Sequence, residues 1–480
     1  MNTNVKDQLI SLFEQWSKEK IIHYTPLPIS GSDRRYFRIS GKTKSAIGVS
    51  NSDIKENTAF LSFTKHFLAK GLPVPELYGE NAEENIYLLQ DLGDETLFSF
   101  LTEKRKTDGF SEELVSVYKK MIEALPKFQM EGAKDLDYSV CYPRKNFDKQ
   151  SMLWDLHYFK YYFLKLAKIP FDEQALEDDF NKFSDFLLQT DCNYFLYRDF
   201  QSRNIMLYEG EPFFIDYQGG RKGALQYDLA SLLYDAKADI SPEIRNQLLD
   251  HYINVISQYK EINQEKFKTF FRGYVLIRIL QALGAYGFRG FYEKKEHFLL
   301  SIPFALKNLS ELLKTIALPI DIPVLLDVIH RITLSEELNF ISNHNDKLKV
   351  TIYSFSYKKG LPSDFSGNGG GFVFDCRALH NPGRYDEYKQ LTGKDQLIID
   401  FLSKENEVSD FLKNVFSLVE QSVDTYLKRN FTNLMVSFGC TGGQHRSVYC
   451  AEALAKHLKK KYNILVELIH REQTEKINNE

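Results

Sequence analysis

Residues Asn193–Asp216 read NYFLYRDFQSRNIMLYEGEPFFID, and this stretch decides the fold. Asn193–Phe200 is an apolar, strand-like run that carries an acid near its end, Asp199. Asn204 follows five residues later. Ile205–Tyr208 has strand character, Glu209-Gly210 is a turn pair, and Phe213–Asp216 is a second strand ending in an acid. A short hairpin therefore delivers Asp199, Asn204 and Asp216 to one end. Phosphoryl transfer uses such a set: one carboxylate orients the attacking hydroxyl, while an amide oxygen and a second carboxylate hold Mg2+ against nucleotide phosphates. The order D-x4-N, hairpin, apolar-apolar-D is the one found in protein kinases and their small-molecule relatives.

Working outward, YRDFQSRNIML and FFIDYQGGRKGALQYDLASLLYD resemble the aminoglycoside phosphotransferase and choline kinase family. The resemblance implies a bilobal, α+β protein-kinase-like domain over residues 1–320. It implies ATP (or GTP) and Mg2+ as cofactors, with Asp199 as catalytic base and Asn204 and Asp216 as metal ligands. Asp228, in YDLASLL, would brace the catalytic loop. Upstream, Ile29–Arg38 (ISGSDRRYFR) alternates like a hairpin with a Gly31-Ser32 tip, whose backbone amides could cover phosphates. IYLLQDLG, Ile86–Gly93, reads as a buried strand running into the interlobe hinge, with Asp91 on the nucleotide side. The expected third strand, Ser45–Ser50, lacks the phosphate-binding lysine of kinases. Either Arg34, Arg35 or Arg38 supplies that charge, or nucleotide binding is altered.

GSDRRYFRI, LLQDLGDETL and IRILQALGAYGFRG further resemble the anomeric sugar kinases of cell-wall recycling. Those enzymes phosphorylate N-acetylmuramate and N-acetylglucosamine at the 1-hydroxyl. By that resemblance the acceptor pocket draws on Met152–Phe163, with Trp154 and Asp155, and on Arg278.

A second motif lies near the C-terminus. Asn433–Phe438 (NLMVSF) is a buried-type strand, Gly439–Ser447 reads GCTGGQHRS, and helical periodicity follows. A glycine-rich loop between strand and helix aims backbone amides and the positive helix end at one spot, and Arg446 adds a bidentate partner for an anion. The spacing Cys440-x5-Arg446 also fits a tyrosine phosphatase, with Cys440 as nucleophile. Residues 348–475 resemble the C-terminal domain of the RNase adaptor protein RapZ, through YSFSYKKGLPSDF, FVFDCRALHNPGRYDEYKQLTGKD and SFGCTGGQHRSVYCAEALA. That resemblance implies a smaller α/β domain over residues 345–480. Cys440, Thr441, Gly442, Gly443, His445 and Arg446 would line a site for an amino-sugar phosphate, with Arg377 and His380 completing it. The adaptor's Walker-type domain is absent, which weighs against an RNA partner. Lys456–Lys461 reads as a solvated helix end rather than an RNA contact.

The composition fits two such domains. The chain has 480 residues, 43% hydrophobic and 26% charged, with a net charge of −4, which excludes a wholesale nucleic-acid binder. No apolar run is long enough for a membrane span, so a membrane partner is excluded and a cytoplasmic location is expected. Five cysteines without a CxxC pair argue against a disulfide framework or a zinc ribbon. The reading is an ATP-dependent kinase for an amino-sugar hydroxyl with a sugar-phosphate sensing domain. Its rivals are an RNA-binding adaptor on a non-catalytic kinase scaffold and a kinase–phosphatase fusion.

Overall fold

The computed structural model describes residues 3–28, 34–335, 338, 348–362, 364, 371–429 and 431–473. Two compact units result: Met1–Ala285 with Ser301–Ser335, and Tyr286–Leu300 with Glu336–Glu480. The Gly31-Ser32 tip, the polar turn at 343–346 and residues 366–370 of the glycine-rich stretch lie outside the described residues.

The first unit opens with helix α1 (Thr3–Ser17) and a five-stranded antiparallel sheet. Its strands are β1 (His23–Pro26), β2 (Arg35–Ser40), β3 (Ser45–Ser50), β4 (Leu77–Asn81) and β5 (Ile86–Gln90), in the order β1-β2-β3-β5-β4. Alternation in β2 buries Phe37 and Ile39, which meet Leu9 and Phe13 of α1 with Ala46, Ile86 and Leu88 in one core. Helix α2 (Ile54–Ala69) is capped by Asp53, whose carboxylate accepts from the Glu56 amide at 3.0 Å. It buries Phe60, Phe63 and Phe67 at helical spacing and stops before Gly71, whose φ of +68° suits glycine. Phe60 stacks on Tyr217 (5.2 Å), and Phe63 and Phe67 pack edge-on against Phe195, so α2 ties the sheet to the Asp199 loop.

The rest of this unit is largely helical and holds two small strand pairs. β6 (Tyr194–Leu196) pairs antiparallel with β9 (Arg221–Gly223), placing Leu196 opposite Arg221. β7 (Ile205–Tyr208) and β8 (Glu211–Phe214) form the expected hairpin. Its two-residue turn has positive φ at Glu209 and Gly210, the twist a tight hairpin wants. The second strand ends earlier than its apolar run suggests. Ile215 donates to the Asn204 carbonyl at 3.0 Å, and Asp216 turns to φ +69°. Helices α3 (Lys149–Phe159), α4 (Leu225–Leu233) and α5 (Gln264–Tyr286) belong to the same part of the chain, and α4 packs on β6.

The second unit is an α/β layer fold. β10 (Lys349–Ser356), β11 (Gly371–Asp375), β12 (Asn433–Cys440) and β13 (Leu465–His470) form a parallel sheet in the order β11-β12-β10-β13. Every residue of β12 is buried, as a central parallel strand requires. Helices α6 (Gln396–Ser403), α7 (Asn406–Lys428) and α8 (Arg446–Lys461) complete the core. α7 supplies Val408, Leu412, Val415, Val419 and Val423 at helical spacing. Ser356 and Cys440 are register partners, so the Cys440 loop leaves the carboxyl edge of the sheet, where open α/β sheets bind ligands.

Candidate functional site

The Asp199 loop is held from below by Asp228 of α4. Its buried carboxylate accepts from the Tyr197 amide at 2.8 Å and the Arg198 amide at 3.0 Å. Burial outweighs those two donors and pushes the Asp228 carboxyl up to about 7. Arg198 adopts φ +83°, a strained value for a side chain of this size. Its guanidinium is held in turn by both Asp155 oxygens (2.8 and 2.7 Å), by the Tyr227 hydroxyl (2.7 Å) and by the Phe147 ring. The strain is thus fixed from several sides, and Asp199 follows it.

The structure brings the three hairpin residues together. The Asn204 side-chain amide donates to the Asp199 carbonyl at 2.9 Å and to Asp216 Oδ2 at 3.1 Å. Asp216 Oδ1 accepts from Gln218 at 2.8 Å. Burial, then the Asp199 charge, raises the Asp216 carboxyl above the usual range. Two crowded carboxylates and an amide oxygen are a hard donor set that a divalent cation would relieve. Among the described residues no cluster of three His, Cys, Asp or Glu forms a metal cage. Mg2+ usually takes one or two carboxylates and completes its shell from phosphates and water.

Toward the five-stranded sheet, Arg34 is buried just before β2 and pairs with Glu56 of α2 at 3.1 Å. Burial works against its charge, but Tyr87, Tyr36 and Glu56 together hold it above the ordinary guanidinium value. Glu56 also accepts from Asn51 (2.8 Å) and Gln218 (3.3 Å). A chain of contacts thus runs Arg34–Glu56–Gln218–Asp216–Asn204–Asp199. Kinases place a lysine–glutamate pair at this junction. Of the three arginines named from the sequence, Arg34 alone meets the α2 glutamate. Arg35 is exposed, and Arg38 is bonded to Asp91 (2.9 and 3.0 Å) and Asp94. Both Asp91 oxygens are therefore engaged by Arg38 at the hinge.

The acceptor candidates divide. Asp155 faces Arg198, and Arg278 is bonded to Ser231 (3.0 Å) and Gln281 (2.6 Å). The Tyr227 hydroxyl lies in the field of Arg198, Arg278, Asp155 and Asp199. Trp154 is 46% exposed, with the Arg144 guanidinium over its ring. Sequence reasoning passed over Arg198, Glu56, Gln218, Arg221 and Tyr227. The adjacency of Arg198 to Asp199 was the one available signal; the others meet only in three dimensions.

In the second unit, Cys440, Thr441, Gly442, Gln444, His445 and Arg446 line a cavity of about 290 Å3 with Asn381, Gly383 and Lys389. Cys440 Sγ accepts from the Gly443 amide (3.2 Å) and lies 3.1 Å from the Ser447 hydroxyl. Gly443 has φ +66°, and a Cβ there would lie 2.3 Å from Glu472 and 2.9 Å from the Ser356 amide, so glycine is required twice over. His445 is bonded to the Tyr388 carbonyl at 2.9 Å, and burial lowers its pKa, favouring the neutral ring. Arg446 Nη1 donates to the Arg377 and Leu379 carbonyls at 2.7 and 2.8 Å. Arg377 joins the site through that carbonyl; its side chain pairs with Asp375 and lies over Tyr357. His380 packs on Phe401 and faces Glu405. The wall opposite the loop comes instead from Asn381, Gly383 and Lys389, in the HNPGRYDEYK stretch.

The five-stranded sheet and the helical part with the hairpin that gathers Asp199, Asn204 and Asp216 have a protein-kinase-like phosphotransferase fold. The family model for the phosphotransferase enzyme family matches residues 23–262, and that for the RapZ C-terminal domain matches residues 348–474. The chain belongs to the phosphotransferase enzyme family and carries a RapZ C-terminal domain. Among solved structures it is similar to a choline kinase from Cryptosporidium parvum, with 11% identity and a TM-score of 0.46 over 68% of this chain and 99% of that one. A choline kinase from Streptococcus pneumoniae gives 15% identity and 0.42 over 64% and 100%. An ADP-bound aminoglycoside phosphotransferase gives 16% and 0.42 over 66% and 98%. A protein of Xylella fastidiosa named nucleotide-binding protein is 36% identical over 148 residues, 30% of this chain and 48% of that protein. The chain spans about half the length of the curated relatives it matches. Among the described residues no helix is long and apolar enough to cross a membrane.

Proposed function

We propose that residues 1–320 form a cytoplasmic small-molecule kinase that moves the terminal phosphoryl group of ATP (or GTP) to a hydroxyl of an amino sugar. The acceptor is of the N-acetylmuramate and N-acetylglucosamine class, and the hydroxyl the anomeric one. The observation that carries the kinase reading is the contact chain from Arg34 through Glu56, Gln218, Asp216 and Asn204 to Asp199. Asp199 takes the acceptor proton, and Asn204 and Asp216 hold Mg2+, which when bound neutralises the charge of the nucleotide phosphates. Arg34 does the work of the missing lysine, and Asp228 supports the loop. The amino-sugar assignment rests on sequence resemblance.

For residues 345–480 we propose binding of an amino-sugar phosphate at the Cys440–Arg446 loop, sensing a product or downstream metabolite of the kinase. Loop amides, the α8 N-terminus and Lys389 favour an anion there. A coupled assay of the full chain with ATP across N-acetylglucosamine, N-acetylmuramate, choline and aminoglycosides tests the first part. Transfer to the sugars, lost in Asp199→Asn, is expected; transfer only to choline or aminoglycosides would refute the acceptor class. Titration calorimetry of the full chain with glucosamine-6-phosphate tests the second, and absence of heat at millimolar ligand would refute it.

A further inference from the structure

Gln218 serves two acids at once and leaves one of its own atoms without a partner. Its Nε2 donates to Asp216 Oδ1 at 2.8 Å and to Glu56 Oε1 at 3.3 Å. An ionised carboxylate only accepts, so the orientation of the carboxamide is fixed: the reverse would set Oε1 against two carboxylates. Oε1 therefore points away from both acids. It is closed to solvent and has no hydrogen-bond partner among the described residues. A buried carbonyl oxygen in that condition is costly, and it marks a place where a donor comes from outside the chain.

The side chain has little freedom to find another partner. Tyr217 and Gly220 close a turn around it, with the Gly220 amide donating to the Tyr217 carbonyl at 2.9 Å. The Tyr217 ring stacks on Phe60 at 5.2 Å, and its hydroxyl lies 2.6 Å from that of Thr64. Glu56, Phe60 and Thr64 recur at every fourth position of α2, so one face of that helix meets both Gln218 and Tyr217. Gly219 borders the base: a Cβ there would lie 3.7 Å from Asp199 Oδ2. The turn is thus fastened to α2 on one side and lies against Asp199 on the other.

We infer that Gln218 is a positioning residue for the divalent cation of the kinase reaction: Nε2 fixes the Asp216 carboxylate against α2, and Oε1 accepts a hydrogen bond from a water that the cation carries. The inference rests on the kinase reading above. Mg2+ gives up its water reluctantly and is held by few carboxylates, so the groups that orient those carboxylates and receive those waters govern how firmly it stays. Through Glu56, Gln218 also ties the cation site to the acid that holds Arg34.

Mn2+ is the probe, because its free form is counted directly by electron paramagnetic resonance. The full chain with ADP should hold Mn2+ more tightly than ADP alone does. Gln218→Met should weaken that affinity about 10-fold, the scale of losing an outer partner of a bound metal. The Mg2+ concentration for half-maximal turnover should rise by a similar factor, and excess Mg2+ should restore most of kcat. Metal-free ADP binding, read by calorimetry, and the KM of the sugar acceptor should stay unchanged, which a misfolded variant would not show. Unchanged Mn2+ affinity, or a kcat loss that excess Mg2+ leaves in place, would overturn the inference. If the wild-type chain adds nothing to the Mn2+ affinity of ADP, the metal roles proposed for Asn204 and Asp216 fail and take this inference with them. Mn2+ held equally by wild type and variant fails Gln218 alone.

Discussion

The two loops differ in the sign of what they gather. The hairpin of the first unit brings Asp199, Asn204 and Asp216 together over Asp228, so the loop is crowded with acids. The loop of the second unit brings backbone amides, His445, Arg446 and Lys389 around a small cavity. Under the proposed function the first would meet phosphate through a cation and the second would meet an anion directly. The same ligand chemistry, a phosphate on a sugar or a nucleotide, would then be approached by opposite electrostatics. The largest break in this comparison should come from Asp199→Asn. If Asp199 is the base proposed above, its loss removes about 10^2–10^4-fold of turnover. Affinity of the full chain for glucosamine-6-phosphate should stay the same, and calorimetry beside the ATP assay checks both. A variant that lost both would show that the loops are not independent.

The second prediction concerns what it costs to build the acidic loop. Asp228 has a folded pKa of about 7 against an ordinary 3.8. A raised carboxyl means that the folded protein keeps a proton which the unfolded chain has released. The stability this group provides is fully present below about pH 4 and is lost as pH rises through about 7. The loss runs at up to about 1.4 kcal/mol per pH unit within that window, and nothing further is lost above it. Asp228→Asn should flatten the slope of denaturation midpoint against pH between 4 and 7, even though Asn keeps an acceptor for only one of the two amides. An unchanged slope would assign the pH dependence to another group, Asp216 being the first to examine. In the second loop burial acts the other way on a base, lowering His445 and favouring its neutral form.

How much of this was legible differs between the two loops for a physical reason. The hairpin is local: Asp199, Asn204 and Asp216 are near neighbours in sequence, and two strands with a Glu-Gly turn can be read from alternation. The C-terminal loop is also local, and its strand-loop-helix order needed only glycines and periodicity. What could not be read is the company these loops keep. The Arg34–Glu56 pair spans 22 positions and depends on the angle at which α2 crosses the sheet. The Arg198–Asp155 pair spans 43, and its left-handed Arg198 has no signature in residue type. The far wall of the second cavity misled in another way. Arg377 is charged and near, but Asp375 claims its side chain, while the less conspicuous Asn381 and Lys389 line the space.

The third prediction sharpens the comparison from the basic side. Arg446 is 5% exposed and holds the Arg377 and Leu379 carbonyls, so it is a strut as well as a charge. Arg446→Gln leaves a shorter donor and strands at least one buried carbonyl. It should destabilise the second unit by about 2–4 kcal/mol and weaken sugar-phosphate binding. ATP turnover, read at a temperature where the variant is folded, should be spared. If stability holds while binding disappears, Arg446 serves the ligand and not the loop.

The smallest effect is expected at Cys440, and it bears on whether the second loop binds or reacts. Cys440 Sγ is a hydrogen-bond acceptor for the Gly443 amide and a neighbour of the Ser447 hydroxyl, buried at the base of the loop. Beside it Arg446 commits Nη1 to two backbone carbonyls, while its buried Nε has no partner among the described residues. A serine hydroxyl can accept the same amide hydrogen. Cys440→Ser should therefore change affinity for glucosamine-6-phosphate by less than about 10-fold, the scale of one neutral hydrogen bond. Neither wild type nor variant should release inorganic phosphate from it. Phosphate release by the wild type that disappears in Cys440→Ser would make the loop a phosphotransfer centre through a thiol. The contrast with the first unit would then be between two ways of moving a phosphoryl group, and no longer between moving one and holding one.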